Sequence, residues 1–381
     1  MTTVDCAKVA SLRRSFSAGY RELEKSEPLL YATADRWVMF PIQYRAIWKL
    51  YKKHLASFWT AEKIDISRDV KDWDTLSDNE RHFVKHMLAF LAASDGLVLK
   101  NVCGKFAMEV QVSEARAFYG FQVAMENIHS ETYSRLLRQY IRDPRERASI
   151  IDTIRTMSSV RDRAQWAVKW MNTDTSFTER IVTLAAVEGV LFSGSYCAIY
   201  WMKKRRLLPG LTFSNTLISR DKGLHAAFAC LIYRTLENSL PEDVLHEIIR
   251  GAVDVERTFM CEALSCDLVG MSSKMLQQYI EFVADRLLLA LGHMRIYGAS
   301  NPFDWMEPAS NPIDLFATDL GYTRSYGASN PLDWMELASD PFDLVATALS
   351  ETRVGEDHRA RVIASREGHE GSGGVALDAD F

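Results

Sequence analysis

From Tyr44 to about Leu291, apolar residues recur at helical spacing almost without interruption, and no stretch shows the strict alternation of a half-buried strand. That pattern restricts the chain to an all-α bundle. Its 381 residues, 48% of them hydrophobic, are enough to bury a large core. Ser77-x-x-Glu80 reads as a capping box opening a long helix through Phe83, Met87, Phe90 and Leu91 toward Lys100. Ser113 is expected to cap the next helix, Glu114 to about Tyr140, with others over 177–203, 214–238, 241–264 and 272–292. Turn-forming residues between Met171 and Thr178, and at Leu208-Pro209-Gly210, are read as separators. The expected organisation is a loose arm over 1–30, the helical domain over 31–296, a duplicated segment over 297–353 and a flexible tail over 354–381. In the duplicated segment, Tyr297-Gly-Ala-Ser-Asn-Pro-Phe-Asp-Trp-Met-Glu307 returns almost unchanged as Tyr326-Gly-Ala-Ser-Asn-Pro-Leu-Asp-Trp-Met-Glu336. Two copies are too few for a solenoid, so a segmental duplication is the simpler reading.

The formal net charge of -5 gives no reason to expect nucleic acid or an anionic membrane as partner. The longest apolar stretches, Met87–Leu99 and Ile181–Phe192, are each broken by a carboxylate and fall short of a membrane span. No apolar signal core follows Arg13-Arg14. The six cysteines form no CxxC pair and read as reduced thiols of a cytoplasmic protein.

The informative residues are acids in apolar surroundings. Glu188 lies in Leu184-Ala-Ala-Val-Glu-Gly-Val-Leu-Phe192, and Asp95 in Leu88-Ala-Phe-Leu-Ala-Ala-Ser-Asp-Gly-Leu-Val-Leu99. A buried carboxylate must be protonated, paired or metal-bound. Taken singly, either acid is better read as half of a local ion pair. On a third helix stands Glu126-x-x-His129, whose spacing puts both side chains on one face together with Tyr133. Such a motif alone is weak. With one acid on each of two other apolar helices it matches half of a four-helix carboxylate site for two metal ions, a design that calls for a second Glu-x-x-His. His225 supplies that histidine, but the position three before it is Lys222.

Several long strings resemble the small subunit of class I ribonucleotide reductase, eukaryotic-type branch. They are Ser57-Phe-Trp-Thr-Ala-Glu62, Glu114–Gln122, Glu126–Tyr133, Ala185-Ala-Val-Glu-Gly189, Pro209–Asn215, Tyr279–Arg286 and Leu377-Asp-Ala-Asp-Phe381. The resemblance implies a ferritin-like helical dimer with a buried dinuclear metal site. In that family a diiron centre reacts with oxygen and oxidises a buried tyrosine, and the oxidising equivalent passes to a large subunit that reduces ribonucleoside diphosphates. Carried over by position, Asp95, Glu126 and His129 would hold the first iron, and Glu188 and His225 the second. Tyr133 would carry the radical, with Trp59, Asp221 and His129 as the relay. Phe192 and Tyr196 would shield the radical, although ordinary core aromatics satisfy that pattern equally. Oxygen and imidazole donors suit iron or manganese. Leu377–Phe381 would dock on the large subunit, and the partner within the dimer would be a second copy or a homologous small chain.

Two departures stand out. Lys222 occupies the sixth ligand position, and an ammonium has no lone pair to offer. The exchange shifts local charge by two units, so the second metal position is expected to be weakened or taken by the ammonium, paired with Glu188 or a neighbouring acid. One subgroup with lysine at this position works without metal, but it also lacks the glutamates that remain here as Glu126 and Glu188. Partner subunits that have lost ligands are the better match. In the tail, Asp357 follows Val354-Gly-Glu356 where the family carries a tyrosine. A catalytically impaired partner subunit is therefore the alternative expectation.

Overall fold

The structure, a computed structural model, describes residues 19–94, 100–172, 174–263, 271–303 and 305. All of them fall within Met1–Arg324, the first of two units, and Ser325–Phe381 lies outside them. Asp95, most of the duplicated segment, Asp357 and the terminal Leu377–Phe381 are likewise outside the described residues.

Among the described residues there is no strand; residues 19–23 are helical, and twelve further α-helices follow: α1 Arg45–Ala56, α2 Asp69–Thr75, α3 Asp78–Ser94, α4 Lys100–Glu109, α5 Ser113–Tyr140, α6 Pro144–Thr156, α7 Ser158–Met171, α8 Phe177–Gly189, α9 Ser193–Lys204, α10 Pro209–Thr235, α11 Glu242–Ala263 and α12 Ser273–Leu291. Helices α3 and α5 pack together, as do α8 and α10, and α5 meets α10. Helix α1 lies against both α5 and α10. The shorter helices would be marginal alone in water, and helices in proteins draw most of their stability from the apolar faces buried between them.

Buried carboxylates fix the ends of the helices that carry the site. Helix α8 opens with a reciprocal capping box in which the Glu179 carboxylate accepts from Ser176 N–H at 2.8 Å and Ser176 Oγ accepts from Glu179 N–H at 3.1 Å. Glu24 adds a second cap, accepting from the backbone N–H of Phe177 at 2.9 Å and Thr178 at 2.7 Å. Glu27 accepts from Glu237 and Asn238 N–H at 3.0 and 2.9 Å, just beyond α10. The end of the arm expected to be loose is thus tied to both helices, because its acids meet backbone donors more than 150 residues away in sequence. Helix α10 begins with Pro209, and Asp69 accepts from Gly210 and Leu211 N–H at 2.6 and 2.9 Å. A Cβ on Gly210 would come within 2.8 Å of Asp69 Oδ2, so only glycine permits this approach.

Three boundaries differ from expectation. Ser113 is the first residue of α5, not its cap, and Val112 takes the cap position without a side-chain bond. Leu208-Pro209-Gly210 does lie at a break between helices, but Leu208 alone is outside α10, and Pro209 and Gly210 already form its first turn, since proline's fixed φ suits that position. The helix expected over 177–203 is two, broken at Phe192 with φ 81°. Glu256 stabilises the break: it accepts from Gly194 N–H at 3.2 Å and pairs with buried Arg163, whose guanidinium lies 5.1 Å from the Phe192 ring. The run Phe177–Lys204 is also long and apolar enough to cross a membrane, which corrects the length argument made from the sequence, and 94% of its most apolar window is buried inside the protein.

Replacing Glu24 with Ala orphans buried donors at the start of α8, and urea unfolding should show a loss of about 2 kcal/mol. An unchanged midpoint would mean that the Ser176–Glu179 box holds that end alone.

Candidate metal centre

Helix α5 presents Glu126 and His129 one turn apart, with Tyr133 a further turn on, and all three are buried. Helix α8 contributes Glu188, and α10 contributes Asp221, Lys222 and His225. Glu126, Glu188, His129, Lys222 and His225 lie together in the buried interior. Asp95 would follow directly on α3, but it lies outside the described residues.

Lys222 is at the middle of the cluster and only 1% exposed. Its Nζ donates to Glu126 Oε2 at 2.8 Å and lies 3.4 Å from Glu188 Oε2, with the Phe192 ring centroid 5.7 Å away. His225 Nδ1 is 3.0 Å from Glu126 Oε1 and 3.7 Å from Glu188 Oε2. Gln122, one turn before Glu126, donates to Glu188 Oε1 at 3.1 Å. On the opposite side, His129 Nδ1 is 3.5 Å from Glu126 Oε2, and its Nε2 donates to Asp221 Oδ2 at 3.1 Å. The same Asp221 oxygen accepts from Trp59 Nε1–H at 2.7 Å, and the indole stacks on the His129 ring at 5.8 Å. Arg220 clamps the other Asp221 oxygen at 3.0 Å and donates to the Ser57 carbonyl at 2.8 Å.

The electrostatics follow from these contacts. Burial would raise the Glu126 carboxyl, but Lys222 and His129 hold it well below the usual range. Burial opposes charge on His129, yet Glu126 and Asp221 outweigh it and push its pKa up to about 9. His225 is raised in the same way, with burial opposed by its contacts to Glu126 and Glu188.

The residues present fit a bound metal ion. Glu126 Oε1, Glu188 Oε2, His129 Nδ1 and His225 Nδ1 are all buried without a hydrogen-bond partner among the described residues. His225 Nδ1 and Glu126 Oε1 are 3.0 Å apart, close enough to share one ion. Glu126, Glu188 and His225 bring ligand atoms within 4.8 Å of one another. Such oxygen and imidazole donors suit a hard or borderline divalent ion.

Sequence reasoning misses two neighbours of the site. Gln122 had a signal, being a polar residue one turn from Glu126 on the same face. His54 ends the buried stripe Ile47, Leu50, His54 of α1, a position that reads as ordinary core filling.

Lys222→Met keeps much of the side-chain volume but leaves Glu126 and Glu188 facing each other without a counter-charge. In chelator, denaturant unfolding should show a loss of about 3–5 kcal/mol, much of it recovered on adding a divalent metal. A loss under about 1 kcal/mol would show that the ammonium does not hold the cluster together.

Comparison with known proteins agrees with this geometry. The family model "Ribonucleotide reductase, small chain" matches residues 36–302. A ribonucleoside-diphosphate reductase small chain of Arabidopsis thaliana is 60% identical over 282 residues, which cover 74% of this chain and 85% of that protein. The small chain of Nicotiana tabacum is 50% identical over 355 residues, covering 93% and 98%. Among solved structures, the ribonucleotide reductase Rnr4 homodimer of Saccharomyces cerevisiae superposes with a TM-score of 0.76 at 34% identity, covering 84% of this chain and 99% of that one. With its fold, its buried cluster and these matches in agreement, the chain is a member of the ribonucleotide reductase small-chain family.

Proposed function

We propose that this chain acts as the radical-generating small chain of ribonucleoside-diphosphate reductase, with Tyr133 as the oxidised residue. The observation that carries this reading is the hydrogen-bonded line Trp59–Asp221–His129, which ends 3.5 Å from Glu126 on the helix that also bears Tyr133. Iron or manganese held by Glu126, His129, Glu188 and His225, with Asp95, would supply the oxidising equivalent drawn from dioxygen. The chain's own groups do the rest. Asp221 Oδ2 takes both the indole and the imidazole N–H, so electron loss at Trp59 is matched by an acceptor already in place for its proton. Burial opposes its charge, but His129 first, then Arg220 and Trp59, hold the Asp221 carboxyl below the usual range, and Arg220 orients it. Burial of Tyr133 keeps water from quenching an oxidised phenol.

One observation favours a second reading. Two paired carboxylates already share the Lys222 ammonium. Four carboxylates would balance two divalent ions, whereas three with one ammonium balance roughly one. A chain that holds one ion would generate radical poorly by itself and would work beside a ligand-complete sister chain. Asp357, which stands in place of a tail tyrosine, points the same way. In either reading the dimer partner is a second copy or such a sister, and Leu377–Phe381 docks on the large subunit. The chain would work in the cytoplasm, in keeping with the free thiols Cys197, Cys230 and Cys261.

Ferrous ion and oxygen added to the chain, followed by metal counting and electron paramagnetic resonance, test both readings. The expected outcome is a tyrosyl signal that Tyr133→Phe abolishes and Lys222→Glu strengthens, with metal rising from about one to about two ions per chain. Turnover with a cognate large subunit should need Asp357→Tyr as well. A tyrosyl signal that survives Tyr133→Phe would overturn the radical assignment. Two ions and full turnover in the unaltered chain would overturn the impaired reading.

A further inference from the structure

His54 is a fully buried imidazole on α1 whose only described polar contact is another imidazole. Its Nε2 lies 3.3 Å from His225 Nε2, and the rings meet near edge-on, with centroids 4.8 Å apart and planes at 67°. Phe118 and Phe121 enclose the other sides, with ring centroids at 5.0 and 4.7 Å. Among the described residues, His54 Nδ1 is buried without a hydrogen-bond partner. Burial first, and the neighbouring His225 second, push the His54 pKa down to about 2, so the ring is neutral.

The inner nitrogen of His225, Nδ1, faces Glu126 and Glu188. An imidazole that offers its Nδ1 lone pair to a metal carries its proton on Nε2. That N–H points away from the acids into an apolar wall and needs an acceptor. The acceptor within reach is the lone pair of His54 Nε2, 3.3 Å away. The other ligand imidazole, His129, has the corresponding outward bond to the Asp221 carboxylate. The site thus has one anionic and one neutral outer acceptor.

We propose that His54 is a positioning residue that accepts the Nε2 proton of His225 and so keeps the Nδ1 lone pair of His225 aimed at Glu126 and Glu188. The proposal rests on the reading of His225 as a ligand. Hemmed in by the Phe118 and Phe121 rings, His54 fixes the tautomer and ring angle of His225, and an imidazole in that place adds no negative charge to a cluster that Lys222 already balances.

Two measurements test it. In the full chain labelled with nitrogen-15 histidine, a coupling across the hydrogen bond is expected between His225 Nε2 and His54 Nε2, and its absence would overturn the proposal. This readout needs neither variant nor metal, so it decides the role of His54 even if no metal binds and the reading of His225 fails. The second is cobalt(II) affinity by chelator competition. His54→Phe preserves aromatic volume and removes the acceptor, and should lower affinity about 10- to 100-fold. His54→Gln returns a carbonyl acceptor and should stay within about 3-fold of the unaltered chain, a small fraction of the loss expected for outer partners. Equal losses in both variants, or none in His54→Phe, would show that His54 merely fills space.

Discussion

A lysine ammonium held between two carboxylates in the dry centre of a helical bundle organises everything around it. Lys222 reaches Glu126 on one helix and Glu188 on another, and its charge offsets theirs where water cannot solvate them. Remove that charge and the two acids must protonate, repel or recruit a cation. The family's metal site and this chain's ion pair are therefore two answers to the same electrostatic demand. The chain retains Glu126, Glu188, His129 and His225 for the first answer while carrying the second one built in.

The cluster depends on helices held in register, and further buried acids supply that hold. Glu24 and the Ser176–Glu179 box fix the start of α8, Asp69 fixes the start of α10, and Glu256 with Arg163 stabilises the left-handed turn at Phe192. Each spends a carboxylate on backbone N–H groups that the helix itself leaves unsatisfied. Among the described residues, buried acids thus include those that hold helix ends and those, Glu126, Glu188 and Asp221, that build the site.

That distinction was only partly legible in the sequence. Glu188 stood out because its neighbours on every side are apolar, and Glu126 because His129 and Tyr133 share its face. Lys222 was legible as an intruder three residues before His225. Glu24 and Glu27 looked like the charges of a loose arm, since nothing local shows that their partners lie at Thr178 and Asn238. The break at Phe192 was hidden for the same reason, because the residues that stabilise it belong to α7 and α11. His54 read as one more position on a buried stripe.

What the chain determined by itself is periodicity and chemistry: helices from the apolar spacing, and a carboxylate–imidazole site from which polar residues interrupt it. Covalent geometry fixes distances along a helix, so Glu126, His129 and Tyr133 had to share a face. Tertiary packing decided which atoms touch. Lys222 meets Glu126 across 96 residues, and His225 meets His54 across 171. Separations of that kind are set by how helices dock, and no local pattern encodes a contact that comes into being only when two buried faces close on each other.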